Sequence, residues 1–350
     1  MAKVYFVPLP EGSSVESISR AAGRLFDHVV EAEGIVLEKE IPLKVHCGEA
    51  GNRTFIPAGC YDGVIDRLEA QGIASCFIET SVLYGGKRGD RESHTKLAAS
   101  HGFTRLPFVI ADGEHGEDSC DVTIPGKHFK HCHLGKAFAD HPQLLVMSHF
   151  KGHALAGFGG SIKQLGMGFA SKGGKMAMHL GVKPRIRAWK CKKCGMCLAR
   201  CRAGAITLSP KPSIDREKCL GCGACYSACR NHAVSILTWG GLLNALFKGR
   251  FFREKLVEYA LAAHTGRRNI YFVFALNITR GCDCEPVPMF KVLKDIGVFV
   301  STDPVAADAA AFDAAVKRGK RFRGGEQLDY AEKIGLGSRK YELVELPCDA

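Results

Sequence analysis

Apolar positions along the 350-residue chain switch repeatedly between the alternation of strands and the 3.6-residue spacing of helices. Lys3–Leu9 predicts a strand. A helix follows from Ser14, its N-cap, with Val15, Ile18, Ala22, Leu25, Phe26 and Val29 on one face. The pattern continues with Ile41–His46 as strand, Gly59–Gln71 as helix, Ala74–Glu79 as strand, Glu92–His101 as helix and Pro107–Ile110 as strand. Leu144–Ser148 is a further short apolar run. Near the other end, Glu254–Ala263 predicts a helix, Asn269–Leu276 a strand, and Val298–Ser301 a strand leading into a helix with Asp303 as N-cap and Pro304 at its first position. Strands separated by helices argue for an α/β fold built on a mainly parallel sheet flanked by helices. No Gly-x-Gly-x-x-Gly follows a strand, which speaks against a dinucleotide site.

One region breaks the alternation. Between Cys191 and Cys229 a single spacing occurs twice, as Cys191-x2-Cys194-x2-Cys197-x3-Cys201 and Cys219-x2-Cys222-x2-Cys225-x3-Cys229. Three thiolates at i, i+3 and i+6 fit three irons of one cubane, while the fourth leads away to the other cluster. The first [4Fe–4S] cluster is therefore assigned Cys191, Cys194, Cys197 and Cys229. The second takes Cys219, Cys222, Cys225 and Cys201. Zinc ordinarily takes separated pairs of ligands and leaves the doubled run unexplained. Disulfides fit poorly with crowded thiols in a chain that carries no secretory leader.

Each cysteine run ends alike, Cys201-Arg-Ala-Gly-Ala-Ile-Thr-Leu and Cys229-Arg-Asn-His-Ala-Val-Ser-Ile. Residues 185–240 thus resemble a bacterial two-cluster ferredoxin, an α+β unit inserted into an α/β domain made of residues 1–184 and 241–350. Arginines 202 and 230 stand where a proline usually follows the fourth cysteine. With Lys192, Lys193 and Arg200 they form a basic rim, whose charge favours the reduced clusters and raises their potentials. The two tryptophans, Trp189 and Trp239, bracket the unit and predict an apolar hinge. Trp239–Phe252 is apolar with basic punctuation and predicts a contact between the insertion and the α/β domain.

Composition narrows the partners. Hydrophobic residues make up 46% of the chain, enough for a sizeable core, and the formal net charge is +12. Without a nucleic-acid motif or a block of like charges, that balance predicts an acidic electron-transfer partner of ferredoxin or flavodoxin type, and no nucleic acid. No apolar run reaches the length of a membrane span, and the N-terminus lacks a leader core, so the expected location is cytoplasmic.

Three segments follow predicted strands, where open parallel sheets gather ligands. The first runs from Ser148 through His149, Lys151 and His153 into a glycine-rich stretch containing Gly159, Gly160 and Lys163, then Lys172-Gly-Gly-Lys175. Its glycines and lysines predict a loop around an anionic small molecule, or glycines packed tightly against the sheet. The second is Gly281-Cys282-Asp283-Cys284. In an extended segment both thiolates point one way, so Cys282, Asp283 and Cys284, with His149 and His153, form a candidate site for an additional metal ion. The third is Thr80–Arg88, closing on His94. The run His128-x2-His131-Cys-His133 reads as solvated surface, and Cys47, Cys60, Cys76, Cys120, Cys132 and Cys348 as scattered core or surface thiols.

Taken together, HFKGHALAGFGGSIKQLGMGFASKGGK, the doubled cysteine motif, CDC and STDPVAADAAAFD resemble the iron–sulfur family labelled domain of unknown function 362. TSVLYGGKRGDRESH and HGF match its N-terminal half, so the resemblance spans nearly the whole chain. It implies an α/β domain with an inserted ferredoxin, a redox role, and convergence of His94, His149, Lys151, His153, Lys163, Cys282, Asp283, Cys284 and Asp303 on one site. Lys44-Val-His-Cys-Gly departs from the family's Lys-x-Asn pattern. The expected activity is that of an oxidoreductase: electrons pass from the clusters to a substrate or metal site in the α/β domain. There Lys151 or Lys163 would hold an anionic group, His149 or His153 would donate protons, and Gly159, Gly160, Lys175, His94 and Asp303 would bind substrate. The alternatives are a non-enzymatic component of a redox complex, or a metal or cofactor maturation protein.

Overall fold

The computed structural model describes residues 1–83, 86–180, 184–201, 203–219, 224–235 and 250–347. Arg202, Cys222, Trp239, residues 240–249 and Cys348 lie outside the described residues.

Eight strands build the main sheet: β1 (Ala2–Pro8), β2 (Leu43–Lys44), β3 (Phe77–Glu79), β4 (Phe108–Ile110), β5 (Leu145–His149), β6 (Ile270–Ala275), β7 (Gly297–Ser301) and β8 (Tyr341–Glu345). Their order across the sheet is β8-β1-β7-β6-β5-β2-β3-β4. Only β7 runs against its neighbours, and every other pairing is parallel. The helices of this body are α1 (Val15–Ala32), α2 (Asp62–Ala70), α3 (Arg91–Ser100), α4 (Ser161–Gly168), α5 (Lys172–Leu180), α6 (Arg250–His264), α7 (Pro304–Lys317) and α8 (Glu326–Lys333).

Side-chain alternation along the strands divides the core into two layers. Tyr5, Val7, Leu43, Leu145, Met147, Phe272 and Phe274 pack with Leu25, Phe26 and Val29 of α1 and Val64, Ile65 and Leu68 of α2. Val4, Phe6, Ile78, Val146, Tyr271 and Val273 pack instead with α4, α6 and α7. Strands buried on both faces explain the continuous apolar runs of β5 and β6. Fully burying one such Phe or Leu contributes about 2–3 kcal/mol. Ser14 caps α1 as its sequence predicts, accepting from Ser17 N at 3.2 Å. Asp303 caps α7, accepting from Val305 N at 2.8 Å and Ala306 N at 2.9 Å.

The glycine-rich stretch departs from its expected loop conformation. Lys151–His153 and Gly157–Gly159 pair as a short hairpin, and two helices, α4 and α5, follow. The glycines serve close packing. At Gly166 a Cβ would lie 2.4 Å from the Leu256 carbonyl oxygen, so α4 and α6 approach to backbone contact only because that atom is missing.

Between positions 184 and 235 the described residues form a separate small arrangement in which one strand–helix–strand pattern occurs twice. Arg185–Ile186, the helix Met196–Ala199 and Ile206–Thr207 make the first copy. Ser213–Ile214, the helix Ala224–Ala228 and Val234–Ser235 make the second. The copies interlock, because the outer strands pair with each other and the inner strands do the same, both antiparallel. Cys197, Ile206, Cys225 and Val234 form the centre of its own small core. Trp189 does not act as the apolar hinge expected of it. It is 79% exposed, with Lys190 Nζ 4.8 Å from its ring.

Candidate functional site

Along the chain β2, β3 and β4 step outward in one direction, and β5 then returns to the opposite side of β2. Such a reversal opens a crevice beyond the carboxyl ends of the two strands. The polar residues of this chain gather there. Lys44 to Glu49 leave β2, Glu79 and Thr80 end and follow β3 with Arg88 further on, His149 to His153 leave β5, and Leu276 to Glu285 follow β6. The β2 and β6 loops are tied together, since Glu49 N donates to the Asp283 carbonyl at 2.9 Å and Asn52 Nδ2 to the Glu285 carbonyl at 3.2 Å.

The turn Cys282–Glu285 divides its side chains between two directions. Asp283, 1% exposed, faces inward, with Lys151 Nζ at 2.6 Å and His149 Nδ1 at 2.9 Å from its Oδ2. Burial opposes the charge on Asp283, yet these two partners hold its carboxyl well below the usual carboxylate range. His149 Nε2 lies 2.7 Å from the Leu276 carbonyl, so both ring nitrogens are occupied within the protein. His149 thus has no free ring nitrogen, and Asp283 faces away from the donor group formed by Cys282, Cys284 and His153. That narrows the expected metal set, in which both took part.

Cys282 and Cys284 face the other way. The segment is a turn closed by Glu285 N donating to the Cys282 carbonyl at 2.9 Å, rather than the expected extended strand, yet the sulfurs still converge. Donor atoms of Cys282, Cys284 and His153 all lie within 4.8 Å of one another. Lys163 of α4 places Nζ 3.2 Å from Cys282 Sγ. The Cys284 thiol and the Lys163 ammonium hold Cys282 well below an ordinary thiol, and Cys284 is correspondingly raised. Burial works against the Lys163 charge, but the two sulfurs outweigh it and raise its pKa. His153 Nδ1 accepts from Leu155 N at 3.2 Å and Ala156 N at 3.0 Å, which assigns the ring proton to Nε2. Burial and Lys163 push this histidine down to about 3, so its ring is neutral at physiological pH.

A second buried group adjoins the first. His94 Nε2 is 2.7 Å from Glu79 Oε2, and Arg88 reaches Glu49 at 3.2 Å, Glu79 at 3.5 Å and His46 Nε2 at 3.0 Å. Burial opposes the charge on Glu79, while His94, His46 and Arg88 hold its carboxyl well below the carboxylate range. Burial and Glu79 push the Cys47 thiol up, so it stays protonated. Cys47, Glu79 and His94 bring donor atoms within 4.8 Å of one another. The Arg88 guanidinium puts a fixed positive charge beside them, which opposes a cation. Lys44 Nζ donates to its neighbour's carbonyl, Val45 O, at 2.6 Å, and burial lowers its pKa to about 8.

The remaining expected substrate contacts fall elsewhere or are satisfied internally. Gly160 precedes the N-terminus of α4, where an anion would bind, but the Asp308 carboxylate of α7 already accepts from Ser161 N at 2.5 Å and Ile162 N at 3.0 Å. A Cβ at Gly160 would sit 2.3 Å from Asp308 Oδ1, and one at Gly159 would sit 3.0 Å from Lys163 Cδ. The chain thus fills that helix end with its own carboxyl group. Lys175 Nζ donates to Thr80 Oγ1 at 2.6 Å and to the Ala170 carbonyl at 2.7 Å, and burial lowers it to about 7. Asp303 follows β7, whose antiparallel run carries it to the end of the sheet away from the crevice, and it also accepts from Ser338 N at 2.7 Å. It belongs to a helix cap, apart from the other residues.

The profile of the family described as Domain of unknown function (DUF362) matches residues 41–313, a span that contains every residue of the crevice. The chain belongs to the DUF362 family. No curated protein matches this sequence. A crystal structure of a Thermotoga maritima protein aligns with this DUF362 protein at 10% identity and a TM-score of 0.42, covering 93% of this chain. The chain spans 61% of that protein's length. Among the described residues no helix is long and apolar enough to cross a membrane.

The small unit of the DUF362 protein offers a test of its fit to clusters. Cys191, Cys194, Cys197 and Cys229 line one cavity, with Ile186, Leu208 and Val234 as apolar walls. Ala205 N donates to Cys201 Sγ at 3.3 Å, and Ala233 N to Cys229 Sγ at 3.2 Å, the same contact in each copy. Cys222 lies outside the described residues, so the second ligand set is seen only through Cys201, Cys219 and Cys225. These sulfurs carry no disulfide. The histidine run at 128–133 is engaged otherwise: His128 contacts Glu254 at 2.6 Å and His133 contacts Asp121 at 2.5 Å.

The sequence reading did not single out Glu79, Arg88, His46, Glu49 or Asp308. Two of them left a readable signal, an acid closing a strand buried on both faces (Glu79) and an acid on the alanine-rich face of a helix (Asp308).

Proposed function

We propose that this chain is an iron–sulfur redox protein whose small unit is a ferredoxin-like insertion holding two [4Fe–4S] clusters. In that reading it is a reductase, and electrons reach a site in the sheet crevice bordered by Lys151, His153, Lys163, Cys282 and Cys284. The observation that carries the proposal is the convergence of Cys191, Cys194 and Cys197 with Cys229 on one cavity. Three sulfurs come from one run and the fourth from the other, the crossed arrangement the doubled motif predicts. Clusters there would supply one-electron chemistry. The chain's own part is to seat them: apolar walls limit water, and the amides of Ala205 and Ala233 stabilise negative charge on two ligand sulfurs.

The basic rim, with Lys192 and Lys193 beside the first cysteine run, supports an acidic electron donor, and the exposed Trp189 adds an apolar anchor next to it. The test is an iron and acid-labile sulfide count on anaerobically purified chain, repeated on Cys191→Ser. About eight of each in the wild type, falling by about half in the variant, is expected from two cubanes. Zinc in place of iron, with no sulfide, would sink the proposal.

A further inference from the structure

We propose that Cys282 and Cys284 form a reversible dithiol–disulfide couple that exchanges with a disulfide-bearing substrate. The inference rests on the redox reading above for its physiological electron source, whereas its thiol chemistry is testable apart from any cluster.

Four features carry it. A tight turn brings the two sulfurs of residues two apart to one side, within 4.8 Å of each other and free of any disulfide. The turn is fixed at both ends, by Glu285 N on the Cys282 carbonyl at 2.9 Å and by Cys282 N donating to Glu285 Oε1 at 2.9 Å. A cation is built in for the thiolate, Lys163 Nζ at 3.2 Å from Cys282 Sγ. The two thiols also differ in access, because Cys282 is 1% exposed whereas Cys284 is partly exposed. The accessible sulfur can reach a substrate disulfide and the buried one can resolve the mixed disulfide, with the Cys282 sulfur beside Lys163 taking the Cys284 proton so that Cys284 attacks as a thiolate.

A metal ion fits the same atoms less well. The described residues offer three donors, the Lys163 ammonium repels a cation, and the proton on His153 Nε2 blocks that nitrogen while Nδ1 accepts two backbone N–H groups. Asp283, which would have been a fourth ligand, is held by Lys151 and His149.

The exchange balances as follows. The pair starts with one proton between its two sulfurs. As Cys284 Sγ attacks one sulfur of the substrate disulfide, that proton passes to Cys282, the substrate S–S bond breaks and one thiolate leaves. Cys282 then gives up its proton to a leaving thiolate and attacks Cys284 Sγ, breaking the mixed disulfide and releasing the second thiolate. The substrate disulfide is reduced by two electrons, the pair is oxidised by two, and one proton ends on a product thiol. Lys163 acts as a positioning residue for the thiolate.

The experiment equilibrates the full chain anaerobically with mixtures of oxidised and reduced dithiothreitol. Acid quenching, alkylation and mass spectrometry of the peptide carrying residues 282–284 follow. The expected result is an internal disulfide whose oxidised-to-reduced ratio follows the first power of the dithiothreitol ratio. Lys163→Met should reach half-oxidation at a dithiothreitol ratio about tenfold lower, because the reduced form loses its cation, and Lys163→Arg should restore the wild-type midpoint. The wild-type titration decides the couple even if a Lys163 variant fails to fold. Two thiols alkylated at every ratio would overturn the proposal. So would zinc chloride binding with one-to-one stoichiometry that protects both thiols and is lost in Cys284→Ser. Iron and sulfide measured in the same samples separate failure of the couple from failure of the cluster reading.

Discussion

Removing the charge on Asp283 tests whether this residue is the internal clamp of the crevice or a ligand. Its Oδ2 lies 2.6 Å from Lys151 Nζ and 2.9 Å from His149 Nδ1, and the side chains of all three are at most 6% exposed. At an effective dielectric of about 20 the gross Coulomb energy of the Lys151 contact is about 6 kcal/mol. Desolvation offsets much of it, and breaking a buried pair by removing one partner costs about 3–5 kcal/mol. Asn keeps the shape and one acceptor, so Asp283→Asn should lie near the lower end, about 3 kcal/mol, which lowers the melting temperature by roughly 5 °C in a chain of this size. Lys151→Met should cost a similar amount. The double variant should be less destabilised than the sum by more than about 1 kcal/mol, since each single change strands the other charge. Calorimetry on the three variants, with metal content measured alongside, reads all of this. An Asp283→Asn melting temperature within a degree of wild type, together with loss of a bound metal, would refute the clamp. Because the folded carboxyl is held low, its stabilisation is present above the unfolded pKa of about 3.9 and is lost as pH falls below it.

Three further outcomes are expected. Cys191→Ser and Cys229→Ser should lose the same cluster signal by electron paramagnetic resonance while Cys201→Ser loses the other; a shared loss of both from Cys191→Ser and Cys201→Ser alike would overturn the crossed assignment. Asp308 is raised to about 7 by burial, which outweighs the two amides it accepts from, so its contribution is full below about pH 4 and is lost as pH rises through about 7; Asp308→Asn should gain on wild type over that window in urea titrations, and a pH-independent difference would contradict the buried acid. Affinity for an acidic protein partner should fall as salt rises, and salt-independent binding in calorimetry would rule out the basic rim as the docking surface.

What the chain discloses on its own differs between its scaffold and its crevice. Helix α1 was legible because Ile18, Ala22, Leu25, Phe26 and Val29 repeat at helical spacing around a single face behind the cap Ser14. Asp303-Pro304 announced α7 for a local reason too, since an N-cap and a first-position proline need no tertiary context. The stretch from Gly157 to Gly168 misleads by composition. Its glycines resemble a phosphate loop, but Gly160 and Gly166 are there because Asp308 and Leu256, more than 80 residues away in sequence, press against them. β8 lies at the sheet edge with a half-exposed pattern that gives little apolar signal, and it is fixed by pairing with β1. The site residues were recognisable as types; their division of labour was not. Nothing in the string Cys-Asp-Cys says that Asp283 turns to Lys151 while its neighbours turn to Lys163.

That division links the two halves of the crevice. Lys151 comes from the hairpin after β5 and Lys163 from α4, and the polypeptide between them crosses Gly159 and Gly160, where added Cβ atoms would meet Lys163 and Asp308. The two cations therefore sit on one short, closely packed segment, and the two anions they meet, Asp283 and Cys282, are adjacent on one turn. A one-residue slip of the turn would exchange the partners, placing the carboxylate beside Lys163 and a thiol beside His149 and Lys151. Both buried cations would still face a nucleophile or an acid, but the sulfurs would no longer share the side with Lys163. Inserting one glycine between Gly281 and Cys282 should accordingly lose thiolate character at the pair, measured as slower alkylation of Cys282 at neutral pH in urea-free buffer, with a smaller loss of stability than Asp283→Asn. Unchanged alkylation would show that the register of this turn does not set the chemistry.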